Sequence, residues 1–150
     1  MQLQFPSHNF KTRLNNGKQE LWDIVRRKYV TITPEELVRQ HLIQFLVNEK
    51  ETPLSKIAVE KMVVVNDLSK RFDVLIYDTD FKPLLLAECK APQIALSQQT
   101  LNQIANYNQT LCVPYLLITN GIHIHLAKID FKTKQFAWLN EIPIYNHLNN

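Results

Sequence analysis

One aspartate and a Glu-Cys-Lys triplet are the residues of this sequence best suited to chemistry. Asp73 precedes Glu88-Cys89-Lys90, with fourteen residues between Asp73 and Glu88. If the two segments are paired strands, Asp73 reaches the level of Glu88, and Lys90 points to the same side as Glu88 because strand side chains alternate. Two carboxylates at close range repel each other unless a cation lies between them, and Mg²⁺ prefers such oxygen ligands. With Lys90 placed to orient or deprotonate water, the pattern predicts hydrolysis of a phosphodiester.

A second polar pair lies further along the chain. Gln103 and Tyr107 are four residues apart in a segment with helical periodicity, so they share one face of the predicted helix. The apolar line of that helix runs through Leu101, Ile104 and Ala105 instead. We interpret the pair as contacts to a DNA backbone or to a catalytic residue, with an ordinary amphipathic edge as the alternative.

Turn and capping signals predict the elements that position these residues. Strands are predicted over residues 72–77 and 84–90, joined by a polar turn at 78–80. Thr33, followed by Pro34 and by Glu36 three residues on, is typical of a capping box and predicts a helix that ends near Asn48. Ser97 can cap a second helix that ends near Leu111.

Further strands complete an α/β pattern. Asn-Gly pairs at 16–17 and 120–121 predict hairpins, the first between strands at 10–14 and 19–25 and the second between 115–119 and 122–127. Strands are also predicted at 57–65 and, as an edge strand, at 136–139. The order is roughly three strands, a helix, three strands, a helix and two strands, which predicts a mixed sheet flanked by helices. No linker divides the chain, so we expect one domain over 1–150, with an N-terminal hairpin and extension (1–32), a core (33–127), and an edge strand and tail (128–150).

Composition excludes several other classes of protein. Only two of the 150 residues are glycine, at positions 17 and 121, so neither a dinucleotide-binding glycine turn nor a P-loop is possible. The net charge of +3 is too small to argue for nucleic acid by itself. A short basic run, Arg26-Arg27-Lys28, is typical of a solvated turn, with a DNA-backbone contact as the alternative. The two cysteines make no disulfide framework, and no apolar run approaches a signal peptide or a membrane span, so we expect a cytoplasmic protein.

Taken together, the chemical motifs resemble those of a known superfamily. In this order and spacing they are Arg71-x-Asp73, Glu88-Cys89-Lys90 and Gln103-x-x-x-Tyr107. The combination resembles the PD-(D/E)xK nuclease superfamily and, more closely, the N-terminal nuclease domain of type I restriction R subunits. The segments 34–40, 87–92 and 118–121 resemble the same family, so the similarity extends from about Leu21 to Leu126. It implies a restriction-endonuclease-like fold and Mg²⁺-dependent cleavage of DNA, with Mn²⁺ as a possible substitute.

The resemblance also implies roles for individual residues. The side chains of Asp73 and Glu88, with the main-chain carbonyl of Cys89, would hold the metal, and Lys90 would act as the base or the cation that orients water. A glutamate on the first helix often completes the acidic cluster, and Glu36 is the best match, although its capping role explains it equally well. Expected DNA contacts are Gln103, Tyr107 and Arg39.

Two departures from the family pattern leave alternatives open. Phe72 replaces the proline for which the superfamily is named. Type I R subunits continue into helicase motors, which this sequence lacks, so we expect a motor subunit in trans, a chain that acts alone, or a diverged biological role. Cleavage of both DNA strands with one active site per chain would favour a homodimer or sequential nicking. The alternative function is a nucleic-acid-binding or complex-assembly module that keeps the fold but cuts weakly or not at all.

Overall fold

A three-stranded antiparallel sheet begins the fold. The computed structural model describes residues 3–65 and 67–149. The strands are β1 (Thr12–Asn15), β2 (Lys18–Asp23) and β3 (Lys28–Thr31), in the spatial order β1-β2-β3. The predicted hairpin turn is confirmed, because Asn16 and Gly17 adopt φ angles of 48° and 77° between β1 and β2. This sheet buries Leu21 and Asp23 on one side.

Helix α1 (Pro34–Asn48) follows, with the start and the end that the sequence predicts. The hydroxyl of Thr33 accepts a hydrogen bond from the backbone N–H of Glu36 at 3.0 Å, and Pro34 occupies the first turn, where it removes no helical hydrogen bond. The helix buries an apolar stripe made of Val38, Leu42, Ile43 and Leu46. That stripe attaches it to one face of the main sheet.

The main sheet has six strands in the order β4-β5-β6-β7-β8-β9. They are β4 (Ile57–Val65), β5 (Leu68–Tyr77), β6 (Pro83–Cys89), β7 (Tyr115–Thr119), β8 (Ile124–Asp130) and β9 (Gln135–Leu139). All neighbours are antiparallel except β6 and β7, which are parallel and are connected through helix α2 (Gln98–Leu111). A single 3₁₀ turn (Leu54–Lys56) precedes β4, and a short helix α3 (Tyr145–Leu148) ends the fold. The predicted α/β architecture with a mixed sheet is confirmed.

The two long helices lie on opposite faces of this sheet. Consecutive residues of the central strands enter different apolar clusters, so each central strand is buried on both sides. On the α1 side lie Val74, Leu85 and Leu117, and on the α2 side lie Leu75, Leu86 and Leu116. Within the described residues, no helix has the length and apolar character needed to span a bilayer.

Gly121, in the turn between β7 and β8, is required for both backbone and packing reasons. Its φ is +85°, and a Cβ built there would lie 2.6 Å from Leu3 Cδ2 and 3.2 Å from Val38 Cγ2. We therefore expect Gly121→Ala to lower the free energy of unfolding by about 3 kcal/mol, as the left-handed backbone penalty and the steric overlap combine. Urea unfolding monitored by circular dichroism measures this change.

Gly17 offers a matched control for that substitution. It also has a positive φ, +77°, but no atom lies within 4 Å of an added Cβ. Gly17→Ala should therefore lose only the backbone term, about 1 kcal/mol. Equal losses for the two variants would contradict the packing argument at Gly121.

Candidate active site

Asp73 and Glu88 lie at the same level of the β5–β6 hairpin. The register pairs Val74 with Ala87. The next residues along the two antiparallel strands, Asp73 and Glu88, therefore lie opposite each other. The Asp73 carboxylate continues the pairing, because its Oδ2 accepts a hydrogen bond from the Cys89 backbone N–H at 2.7 Å. A side chain thus takes the place of a backbone carbonyl where the two strands stop pairing. The predicted juxtaposition of these two positions is confirmed.

The neighbouring strand β4 is distorted at this level. Val59 pairs with Val74 and Lys61 with Phe72, so Glu60 lies opposite Asp73. Glu60 has a φ of +53°, a conformation that is rare for a residue with a side chain and costs about 1–3 kcal/mol. Such strain persists where surrounding contacts hold it, and it is concentrated at functional sites. Here the Glu60 carboxylate contacts two arginines from other elements.

Glu88 is a buried acid in contact with a lysine. It is 7% exposed, and its Oε1 lies 2.5 Å from Lys70 Nζ. Burial is the largest influence on the pKa of Glu88 and raises it, and the nearby Asp73 carboxylate raises it as well. Lys70 and Lys90 lower this pKa, but the net shift is upward. The two carboxylates therefore interact as like charges, and an additional cation near them would stabilise the ionised form of Glu88.

Lys90 lies one residue beyond the end of β6. Its backbone N–H donates a hydrogen bond to the Thr119 carbonyl at 2.8 Å, which extends the parallel pairing of β6 and β7. Its half-buried ammonium acts on the pKa of Glu88. The register of β5 and β6 and the Thr119 contact thus place Asp73, Glu88 and Lys90 at the same end of the β5–β6 pairing.

Arg39 differs from the DNA contact that the sequence analysis expects. Its side chain is 6% exposed, and its Nη2 donates to Asp73 Oδ1 at 3.0 Å while Nη1 donates to Glu36 Oε2 at 3.1 Å and lies 3.5 Å from Glu60 Oε1. Burial lowers the pKa of Arg39. The three carboxylates raise it by a larger amount, so the net shift is upward. In this conformation Arg39 is a buried counter-ion of the acidic cluster, so its guanidinium is engaged inside the protein.

Glu36 uses its backbone and its carboxylate for different purposes. The backbone N–H completes the Thr33 cap, as predicted. The carboxylate accepts hydrogen bonds from Arg26 Nη2 at 2.5 Å, Gln40 Nε2 at 2.9 Å and Arg39 Nη1 at 3.1 Å. Glu36 is therefore connected to Asp73 through Arg39, and its helix-cap interpretation does not account for its side chain.

A buried aspartate and Arg26 extend the cluster into the N-terminal sheet. Asp23 is fully buried and accepts hydrogen bonds from the backbone N–H groups of Val25 and Arg26, from Arg26 Nε and from Gln40 Nε2. Burial raises the pKa of Asp23, but Arg26 and Gln40 lower it more, so the net shift is downward. The sequence predicts Arg26 only as part of a basic run. The Asp-x-x-Arg spacing of Asp23 and Arg26 is the local signal of this contact, because it lets the side chains of one turn pair with each other.

The predicted helix α2 pair is located only in part. Gln103 is exposed on α2, and its role in binding DNA stays a prediction. Tyr107 falls within the same helix, but its side chain lies outside the described residues.

The site carries oxygen atoms of the kind that a hard divalent cation prefers. Among residues 3–65 and 67–149, no three His, Cys, Asp or Glu side chains form a group able to hold a metal. Two carboxylates and a backbone carbonyl are nevertheless a suitable set for Mg²⁺, which retains several waters. Burial raises the pKa of the Cys89 thiol well above its usual value, so Cys89 would contribute its carbonyl and not a thiolate.

Comparison with known proteins supports the similarity of this chain to restriction enzymes. Residues 34–143 match the family described as the type I restriction enzyme R protein N terminus. A solved fragment described as an HsdR subunit of a type I restriction enzyme from Vibrio vulnificus YJ016 aligns with 71% of this chain and 22% of its own length, at 20% identity and a TM-score of 0.49. No curated protein matches. Because the family match covers most of the chain, the protein belongs to the family of type I restriction enzyme R-protein N termini.

Proposed function

We propose that this chain is a Mg²⁺-dependent nuclease domain that hydrolyses phosphodiester bonds in DNA. The observation that carries the proposal is the placement of Asp73 level with Glu88 on paired strands, with Lys90 two residues further along. The raised pKa of Glu88, which Asp73 helps to raise, supports it because the pair favours an added cation. Membership of the restriction family supports DNA as the substrate.

Each residue has a defined role in this proposal. Asp73, Glu88 and the Cys89 carbonyl would hold Mg²⁺ or Mn²⁺, which when bound supplies positive charge to a phosphate oxygen and acidifies water. Lys90 holds and orients the attacking water and stabilises the negative charge that develops on the phosphate. Gln103, which is exposed on α2, and Tyr107 would position the DNA strand.

The described contacts also define the metal-free arrangement. Arg39 contacts Asp73 and Lys70 contacts Glu88, so both acids already have cationic partners from the chain itself. A metal must share these oxygens or displace the two side chains. We therefore expect metal affinity to be set by competition with Arg39 and Lys70.

The proposed context is a restriction complex in the cytoplasm. The similar HsdR fragment is much longer than the region that it shares with this chain. For cleavage of both DNA strands, the proposed partner is a motor subunit in trans or a second copy of this chain.

Binding of Mn²⁺ or Mg²⁺ should raise the melting temperature of the protein. A ligand that binds only the folded state at 100 times its dissociation constant stabilises it by about 2.7 kcal/mol, which for a domain of this size is about 5–10 °C. Asp73→Asn should abolish the shift, because it removes a metal ligand. Differential scanning fluorimetry with and without metal measures the effect.

The control for this experiment is Asp80→Asn, which removes an exposed acid from the β5–β6 turn and should leave the metal-induced shift unchanged. A parent protein with no shift would favour the second candidate, a DNA-binding or assembly module without cleavage. The observation in favour of that candidate is the engagement of Asp73 by Arg39.

A further inference from the structure

The N-terminal three-stranded sheet reaches the candidate active site through Arg26. This residue follows β2 and precedes the region that matches the family, residues 34–143. Its Nη2 donates to Glu36 Oε1 at 2.5 Å, and its Nη1 lies 3.4 Å from Glu60 Oε2. Arg26 therefore contacts two carboxylates that also contact Arg39.

Arg26 is itself firmly held. Its Nε donates to the fully buried Asp23 carboxylate at 2.5 Å, and its backbone N–H donates to the other oxygen of Asp23 at 3.0 Å. Gln40 of helix α1 donates both to Asp23 and to Glu36, each at 2.9 Å. The turn after β2 is thereby attached to α1 by several hydrogen bonds to ionised groups, which are stronger than neutral ones.

From Arg26 a row of alternating charges leads to Asp73. Its members, in order, are Asp23, Arg26, Glu36, Arg39 and Asp73. One oxygen of Asp73 accepts from Arg39 and the other from the Cys89 N–H, so the orientation of this carboxylate depends on where Arg39 lies. Arg39 in turn is placed by Glu36, whose second oxygen is held by Arg26.

We infer that Arg26 is a positioning residue, through which the N-terminal sheet fixes the orientation of Asp73 by way of Glu36 and Arg39. Without Arg26, Glu36 and Glu60 lose a shared counter-ion, and Arg39 alone must serve both of them and Asp73. Its guanidinium should then move toward the unpaired carboxylates and release Asp73. The effect on metal binding rests on the proposed function, whereas the effect on the geometry of Asp73 does not.

The test compares Arg26→Met, Arg26→Lys and the control Arg27→Met in the full chain. Arg27 is exposed and adjacent, so its replacement removes the same charge from the same turn. The metal-free measurement is the ¹H–¹⁵N NMR signal of the Cys89 amide, which reports its hydrogen bond to Asp73, together with the Nε–Hε signal of Arg39. With metal, the Mn²⁺ dissociation constant is measured by calorimetry.

In Arg26→Met we expect both signals to shift and the Mn²⁺ dissociation constant to fall about 10-fold, because Arg39 leaves Asp73 and a competing charge-assisted interaction is lost. Arg26→Lys keeps the positive charge but loses the forked set of guanidinium donors, so it should give intermediate changes in the two signals and in the dissociation constant. Arg27→Met should leave the signals and the constant at parent values.

Other outcomes distinguish the positioning role of Arg26 from the proposed nuclease function. Unchanged Cys89 and Arg39 signals in Arg26→Met overturn the inference, as do equal shifts in Arg27→Met. If the parent binds no Mn²⁺, the proposed function fails, while the metal-free NMR signals still decide the positioning role. If Arg26→Met does not fold, the signals of Arg26→Lys decide it, and parent-like signals there overturn it.

Discussion

Glu88→Gln and Lys90→Ala should each reduce Mg²⁺-dependent DNA cleavage by about 100- to 10,000-fold while the protein stays folded. Groups that handle a proton or stabilise transition-state charge typically contribute factors of about 10² to 10⁴. Glu88→Gln keeps the shape of a buried side chain that contacts Lys70 but removes the charge that would hold the metal. Lys90→Ala removes the ammonium while its backbone N–H can still bond to Thr119.

The assay uses linear, circular, single-stranded and branched DNA with Mg²⁺ or Mn²⁺, since the preferred substrate form is not specified by the site. Matched controls are Glu141→Gln and Lys82→Ala, an exposed acid and an exposed lysine away from the site, which should cut at the parent rate. A Glu88 or Lys90 variant that cuts as well as the parent would contradict the assigned roles. A parent that cuts none of these DNAs would favour the binding or assembly module.

The part of the site that lies on the β5–β6 hairpin could be predicted from the sequence because local rules fix it. A polar turn joins two apolar strands, and the two-residue period then places Asp73 at the level of Glu88. Helix α1 was predictable for a similar reason, since Thr33 and Pro34 mark its first turn. Each of these features depends on neighbours within about 20 residues of sequence.

The arginines that surround the acids could not be predicted in this way. Arg26 and Arg39 meet Glu60 and Asp73 across more than thirty residues of chain. These contacts form only when α1 packs on the main sheet and the turn after β2 packs beside it. The left-handed backbone of Glu60 has no local signature either, since glutamate rarely adopts it. A sequence pattern identified the carboxylates, but tertiary packing determines their partners.

Arg39→Met should lower the free energy of unfolding by about 3–5 kcal/mol in the absence of metal, because removal of one partner leaves buried charges without compensation. Asp73 loses the guanidinium that contacts its Oδ1, and Glu36 and Glu60 keep Arg26 as their cationic partner. Methionine fills much of the same volume, so the loss reports charge more than packing. Urea unfolding in EDTA measures this difference.

Added Mg²⁺ should recover part of that loss, and this separates a structural arginine from one that competes with the metal. If the guanidinium and the ion need the same Asp73 oxygen, Arg39→Met gains more stability from Mg²⁺ than the parent does. Arg13→Met is the control, because Arg13 pairs with Glu20 on the exposed side of the N-terminal sheet and its loss should change neither quantity appreciably. Equal gains from Mg²⁺ in Arg39→Met and the parent would mean that the ion and Arg39 do not compete. A variant as stable as the parent in EDTA would mean that the carboxylates are already compensated by solvent, and the row of charges from Asp23 to Asp73 would then have no energetic role.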